Sequence, residues 1–210
     1  MPDMKSDSAE THTLLLAIGR GDAGALDALL ERHRPALRAF IEFHFDPRLR
    51  ARLDPSDVVQ ETQLEVVRRI HDFLAHQPMP FRLWLRKKAM ERLSNLRRDH
   101  LARARRSVTR EEALPDRSSL LLARPLLARG PSPSQLLQSR ELAERVSRAV
   151  ARLGPADREI LLLRHAEDLP FEEIACLLDI QPAAARKRFG RALIRLQTVL
   201  GEEGLLESLP

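Results

Sequence analysis

Side chains able to ligate a metal or act as nucleophiles are few and scattered in this 210-residue sequence. The seven histidines (His12, His33, His44, His71, His76, His100 and His165) make no metal-ligand spacing with the lone Cys176. His71, Asp72 and His76 lie close together but lack a third committed ligand of the kind a metal site needs. Cys176, with Ile174 and Leu177 nearby on a short helical pattern, reads as a small buried hydrophobe. Being single, it excludes an intramolecular disulfide and suits a reducing compartment. Gly19, Gly21 and Gly24 match G-x-G-x-x-G, the dinucleotide fingerprint, but follow a helical pattern with no βαβ unit around them, so they read as a turn and cap. There is no phosphate loop, nucleophile elbow or acid–base pair. Neither enzyme activity, a cofactor nor a metal is expected.

The chemistry that the sequence does carry is charge. From Phe81 to Arg106 there are ten Lys or Arg against two acids, Glu91 and Asp99. From Pro182 to Leu200 there are five cations and no acid, four of them the cluster Arg186, Lys187, Arg188 and Arg191. Between Asp54 and Phe73 the sign reverses, with five acids against two arginines. Two separated basic segments point to two contacts with a polyanion, and the acidic segment to a different partner. Small Ala183 and Ala184 at the start of the last basic segment leave room for close approach.

These charges need elements to hold them, and the composition favours helix. Ala, Leu and Arg dominate, only 4% of residues are aromatic, and there is no Tyr. No strand pattern is found, and no stretch nears the roughly 18 apolar residues of a membrane span. The polar start "MPDMKSDSAETH" lacks the apolar core of a secretory signal, so a cytoplasmic setting is expected. Residues 1–12 read as disordered, with a helix from Thr13 to Ile18 and another after Asp22, a plausible N-cap. In "DPSDVVQETQLEVVRRIHDF", Asp54 or Ser56 can cap a helix that Pro55 starts. Val59, Val66, Ile70 and Phe73 form its apolar stripe, and Asp57, Glu61 and Glu65 recur every four residues on another face, beside Gln60 and Leu64.

The basic helix "FRLWLRKKAMERLSNLRRDHLARARR" follows, with Phe81, Leu83, Trp84, Leu85, Ala89 and Leu93 as its apolar side. A Pro- and Ser-rich stretch then breaks all periodicity and reads as a linker. Helical patterns return over Gln138–Leu153 and Pro155–His165. The last third ends in "LPFEEIACLLDIQPAAARKRFGRAL", a helix-turn-helix pattern. Phe171, Ile174, Ala175 and Leu178 form the first core face, and Asp179-Ile180-Gln181 the turn with Ile180 inward. Pro182 opens a second helix with Ala185, Phe189, Ala192 and Leu196 inside. The expected organisation is all-α. A disordered segment (1–12) precedes a helical domain (13–106), a flexible linker (107–137), a helix-turn-helix domain (138–201) and a tail (202–210).

In this order and spacing, the segments resemble the sigma-70 family of bacterial transcription initiation factors, in its small two-domain extracytoplasmic-function class. The D-x-x-Q-E pattern falls on Asp57, Gln60 and Glu61, the F-x-x-W-L start of the next helix on Phe81, Trp84 and Leu85, and the second domain on "LGPADREILLLRHAEDLPFEEIACLLDIQPAAARKRFGRALIRL". The likeness covers roughly 14–106 and 138–200. It implies a core RNA polymerase-binding face of Asp57, Gln60, Glu61 and Glu65 that meets the β′ coiled coil. The basic helix would contact the −10 promoter element through Arg82, Arg86, Lys87, Lys88, Arg92, Arg97 and Arg98. The helix-turn-helix would read the −35 element through Gln181, Ala184, Arg186, Lys187, Arg188 and Arg191. The loop "FLAHQPMPF" would capture an unstacked base, and the linker would thread through the polymerase. Implied partners are core RNA polymerase (β′ and β subunits), promoter DNA and an anti-sigma factor, without a membrane.

Some residues depart from the family pattern. Glu91 and Asn95 stand where an Asn and an Asp are common, Asp179 where a Gly is common, and Gln181 and Pro170 where hydroxyl caps are usual. Gly190 inside the last helix costs about 1 kcal/mol relative to Ala. Trp84 suits either a stacking platform or the core, and its spacing from Phe81 and Leu85 favours the core. A helix-turn-helix regulator acting without polymerase is the alternative function. A sigma-like protein that binds polymerase or an anti-sigma partner but no promoter is a third.

Overall fold

The computed structural model describes residues 6–46, 49–50, 52–104, 145–146 and 148–205, the side chains of 100–104 excepted. They form two compact, all-helical units with no strand among the described residues, which is the expected fold class. The first unit holds α1 (Ala9–Gly19), α2 (Ala23–His44), α3 (Pro55–His76) and α4 (Phe81–Ala104). The second holds α5 (Pro155–Leu161), most of α6 (Phe171–Leu178) and α7 (Pro182–Glu202), preceded by helical residues at 145–146 and 148–152. The expected linker (107–137) and residues 138–144 of the expected second domain lie outside the described residues.

In the first unit α2, α3 and α4 pack on one another and α1 packs on α2. α4 is central. Phe81, Leu83, Trp84, Leu85, Ala89 and Leu93 are all buried, as their spacing predicts, and Met90 joins them. Trp84 is 7% exposed and lies against Phe73, ring centres 4.7 Å apart, so it is a core residue. Each large apolar side chain so enclosed stabilises the fold by about 1.5–3 kcal/mol. Asp22 caps α2 by accepting from the amides of Gly24 and Ala25. Gly21, at φ +88°, makes the tight turn before it, so the glycine motif is indeed a turn and cap. Asp54 caps α3, and the Ser56 hydroxyl and amide hold its carboxyl below the ordinary range.

The N-terminus corrects the sequence reading. Helix α1 starts at Ala9, not Thr13, and residues 6–8 are placed. Ser8 accepts from the Thr11 amide at 3.3 Å, and buried Thr11 meets His33 Nε2 at 3.0 Å. Asp7 reaches across the unit and accepts from the amides of Phe81 and Arg82, at 2.5 and 3.1 Å, capping α4 from more than seventy residues away. The segment has the polar composition of a disordered one, yet it is ordered because Asp7, Ser8 and Thr11 each hydrogen-bond to the backbone or to another side chain. Residues 1–5 lie outside the described residues.

In the second unit α5 packs on α7. Arg195 donates to the buried Asp157 at 2.6 Å and pins α7 to the first turn of α5. α5 continues as one π-helical turn, Leu162–Ala166, that sequence periodicity did not signal. Part of the expected tail is also packed: α7 runs to Glu202, and Leu205 is fully buried after its amide bonds to the Leu200 carbonyl. Residues 206–210 lie outside the described residues.

Candidate protein- and DNA-binding surfaces

On α3 the buried stripe of Val59, Val66, Ile70 and Phe73, widened by Val58 and Thr62, leaves the opposite side to solvent. Asp57 sits in the first turn, where a negative charge is favoured by the helix dipole. Asp57, Gln60 and Glu61 are exposed and Glu65 is half-buried. Glu65 pairs along the helix with Arg69. Glu61 pairs across to α4, with Arg92. Leu64 and Val67 beside them are 55% and 43% exposed, large apolar side chains left in water on an otherwise polar face. Leu64 lies among the acids in sequence, and Val67, like Leu64, falls outside the buried stripe. Gln60, Leu64 and Val67 also line a shallow groove of about 410 Å³ against Asp27, Leu30 and Glu31 of α2.

The seven α4 cations do not form one track. At 3.6 residues per turn, Arg82, Arg86 and Arg97 share one side, Lys87 and Arg98 another, and Lys88 and Arg92 a third. The Arg86 guanidinium lies 5.3 Å from the Phe40 ring centre, toward α2. Lys88 is only 15% exposed at its side chain and bonds to Glu91 at 2.8 Å. Arg98 donates to Asn95, one of the residues that depart from the family pattern. The connection from α3 turns at Gln77, which ends the helix in the left-handed region at φ 36°.

The helix-turn-helix is present, with a turn explained by its backbone. Asp179 takes φ 56°, ψ 45°, the left-handed conformation that makes Gly common there and that Asp tolerates better than most residues. The Ile180 amide then bonds to the Ala175 carbonyl at 3.0 Å. Ile174, Ala175 and Leu177 are buried on α6, while Ile180 and Cys176, both expected inside, are half-buried. On α7 Ala185, Ala192 and Leu196 are buried and Phe189 half-buried. Gln181, Ala184, Lys187, Arg188 and Arg191 lie on one side of α7, running from the edge of the buried stripe outward, all exposed except half-buried Arg188. Lys187, Arg188 and Arg191 enter no ion pair among the described residues.

Arg186 stands apart from that face. It donates to Glu172 of α6 at 2.5 Å, and its guanidinium lies 5.7 Å from the Phe171 ring centre, with Arg164 at 5.4 Å from the same ring. Arg164 also donates to the Leu169 carbonyl at 3.0 Å, bracing the loop from the π turn to α6. His165 packs on Phe189 at 5.3 Å, and partial burial with Arg164 nearby lowers its pKa. Among the described residues no three His, Cys, Asp or Glu come together as metal ligands, and no helix is long and apolar enough to cross a membrane.

Comparison with known proteins agrees with this geometry. The family described as "Sigma-70, region 4" matches residues 143–196, which take in α5, α6 and most of α7. A probable RNA polymerase sigma factor, RfaY of Xanthomonas campestris pv. campestris, is 36% identical over 138 residues, 65% of this chain. The match takes in 31% of RfaY, so this chain spans about a third of that relative's length. The RNA polymerase sigma factor CnrH of Cupriavidus metallidurans is 28% identical over 180 residues, 86% of this chain and 88% of CnrH. Among solved structures, CnrH in complex with the cytosolic domain of CnrY shares the fold at a TM-score of 0.57 and 22% identity, over 92% of this chain and 99% of that one. The sigma factor RpoE in complex with the anti-sigma factor NepR, from Bartonella quintana, does so at 0.56 and 19%, over 83% and 96%. Residues 143–196 thus match the sigma-70 region 4 family, and over most of its length the chain is similar to an RNA polymerase sigma factor.

Proposed function

We propose that this chain is an alternative sigma factor that binds core RNA polymerase in the cytoplasm, directs it to promoters with two spaced elements, and helps to open the downstream one. It performs no chemistry of its own. The observation that carries the reading is the face of Gln181, Ala184, Lys187, Arg188 and Arg191 on the second helix of a family-matched helix-turn-helix. A recognition helix of this kind offers cations to phosphates and a small residue, Ala184, for close approach to base edges in the major groove. Three phosphate contacts release only a few counterions and bind weakly alone. Joining this unit to a second DNA contact on α4 raises the effective concentration of each for the other.

The exposed Asp57, Gln60 and Glu61 on α3 favour polymerase docking over a regulator that acts on DNA alone, which has no use for such a face. Two helical units with the Pro- and Ser-rich stretch 107–137 between them in sequence suit one polymerase bridging both elements. Complexes of CnrH with CnrY and of RpoE with NepR support an anti-sigma partner for this chain as well. The test is binding of the fluorescently labelled full chain to purified bacterial core polymerase. Binding by the wild type, lost in an Asp57→Lys/Glu61→Lys variant, is the expected result. Sequence-specific DNA footprints by a chain that does not bind core would favour the direct regulator instead.

A further inference from the structure

Resting on that reading, we infer that the groove between α3 and α4 belongs to the surface that meets core polymerase, with Arg92 as the positioning residue for the Glu61 carboxylate, and is not part of the DNA track. Motif order alone assigns Glu61 to the polymerase and Arg92 to the promoter. The fold joins them: the Arg92 guanidinium donates through Nε to Glu61 Oε2, with 37% of one side chain and 46% of the other exposed.

The surroundings decide which partner this pair serves. Both residues line a groove of about 500 Å³ with Leu64, Glu65, Arg68, Lys88 and Glu91. Three carboxylates (Glu61, Glu65, Glu91) face three cations (Arg68, Lys88, Arg92), so the groove offers a polyanion no net attraction and sets carboxylates against each approaching phosphate. Two of the three cations are also committed locally, Lys88 to Glu91 at 2.8 Å and Arg92 to Glu61. Leu64, 55% exposed at the rim, adds an apolar side chain that phosphate does not use. Alternating charge around an apolar residue fits a protein segment that presents both signs around an apolar side chain of its own.

Within that surface Arg92 restricts the rotamers of Glu61. A glutamate tethered by a guanidinium meets its partner having already lost much of the side-chain freedom that docking would otherwise remove. The bond uses Oε2, and a carboxylate accepts at both oxygens, so Oε1 remains a site for a partner's cation.

The experiment measures two quantities for wild type, Arg92→Ala and Arg92→Lys. One is the affinity of the labelled full chain for purified core polymerase. The other is the salt dependence of promoter binding by the reconstituted complex. Thermal melts of all three show that each is folded, since the pair lies at the surface. Arg92→Ala is expected to weaken core binding about fivefold, the upper range for an exposed pair, with the salt slope unchanged. Arg92→Lys, which keeps a cation near Glu61, recovers most of that loss. Equal core affinity for wild type and Arg92→Ala overturns the inference, and so does a salt slope reduced by about one, the mark of a lost phosphate contact. A wild type that does not bind core at all overturns the sigma-factor reading, a result distinct from either.

Discussion

Removing the Asp7 carboxylate should loosen the start of α4 from a position 74 residues away in sequence. Asp7 accepts from the amides of Phe81 and Arg82, two of the four that a helix start leaves without an intrahelical partner. Losing a side-chain cap costs about 0.5–2 kcal/mol. The negative charge beside the helix N-terminus is worth about 0.3–1 kcal/mol more. Asp7→Ala should therefore destabilise the first unit by about 1–3 kcal/mol, and Asp7→Asn, which keeps an acceptor but no charge, by roughly 0.3–1 kcal/mol. For a unit of this size 1 kcal/mol lowers the melting temperature by about 4–8 °C. The assay is urea unfolding followed by tryptophan fluorescence. Trp84 is the sole Trp of the chain and lies on α4, three residues from Phe81, so the signal reports this unit alone. An Asp7→Ala midpoint equivalent to less than about 0.3 kcal/mol from wild type, well short of a lost cap, would refute the remote cap.

Three more outcomes follow from named contacts. Trp84→Ala should cost about 3–5 kcal/mol and Trp84→Phe less than about 1.5 kcal/mol by circular dichroism in urea, because Trp84 is core; a near-neutral Trp84→Ala would return it to the surface as a stacking platform. In salt titrations of duplex DNA binding, Lys187→Ala and Arg191→Ala should each reduce the slope by about one. Arg186→Ala should leave the slope unchanged because Glu172 and Phe171 hold that guanidinium off the face, and a slope that falls with Arg186→Ala contradicts this placement. Burial lowers the His33 pKa, Arg32 lowers it further, and Asp7 opposes both. Unfolded His33 therefore binds its proton at higher pH than folded His33, so its contribution is complete above about pH 6.5 and is lost as pH falls through the folded value. The urea midpoint read at Trp84 should drop from pH 7.5 to 5.5 in wild type and drop less in His33→Gln; an equal drop in both refutes the assignment.

Local rules made much of the fold legible. Asp22 declares the start of α2, Asp54 or Ser56 that of α3, and the spacing of Val59, Val66, Ile70 and Phe73 and of the α4 apolar residues identifies buried stripes that the structure contains. The same local rules could not reveal Asp7 on α4, because a short polar side chain looks alike whether it caps a distant helix or meets water. The Glu61–Arg92 pair was hidden for the same reason: each residue fitted its own helix, and only packing of α3 on α4 joins them. Arg186 was different, since helical periodicity places it off the face of Lys187 and Arg191. That signal was in the sequence, and the run of adjacent cations obscured it.

The central claim, that this chain acts as a sigma factor and confers promoter recognition on polymerase, is tested most directly by run-off transcription from genomic fragments with purified bacterial core polymerase. We expect discrete transcripts that require the wild-type chain and vanish with Asp57→Lys/Glu61→Lys. Transcripts that persist unchanged with that variant, or none with the wild type while it footprints DNA unaided, would contradict the account.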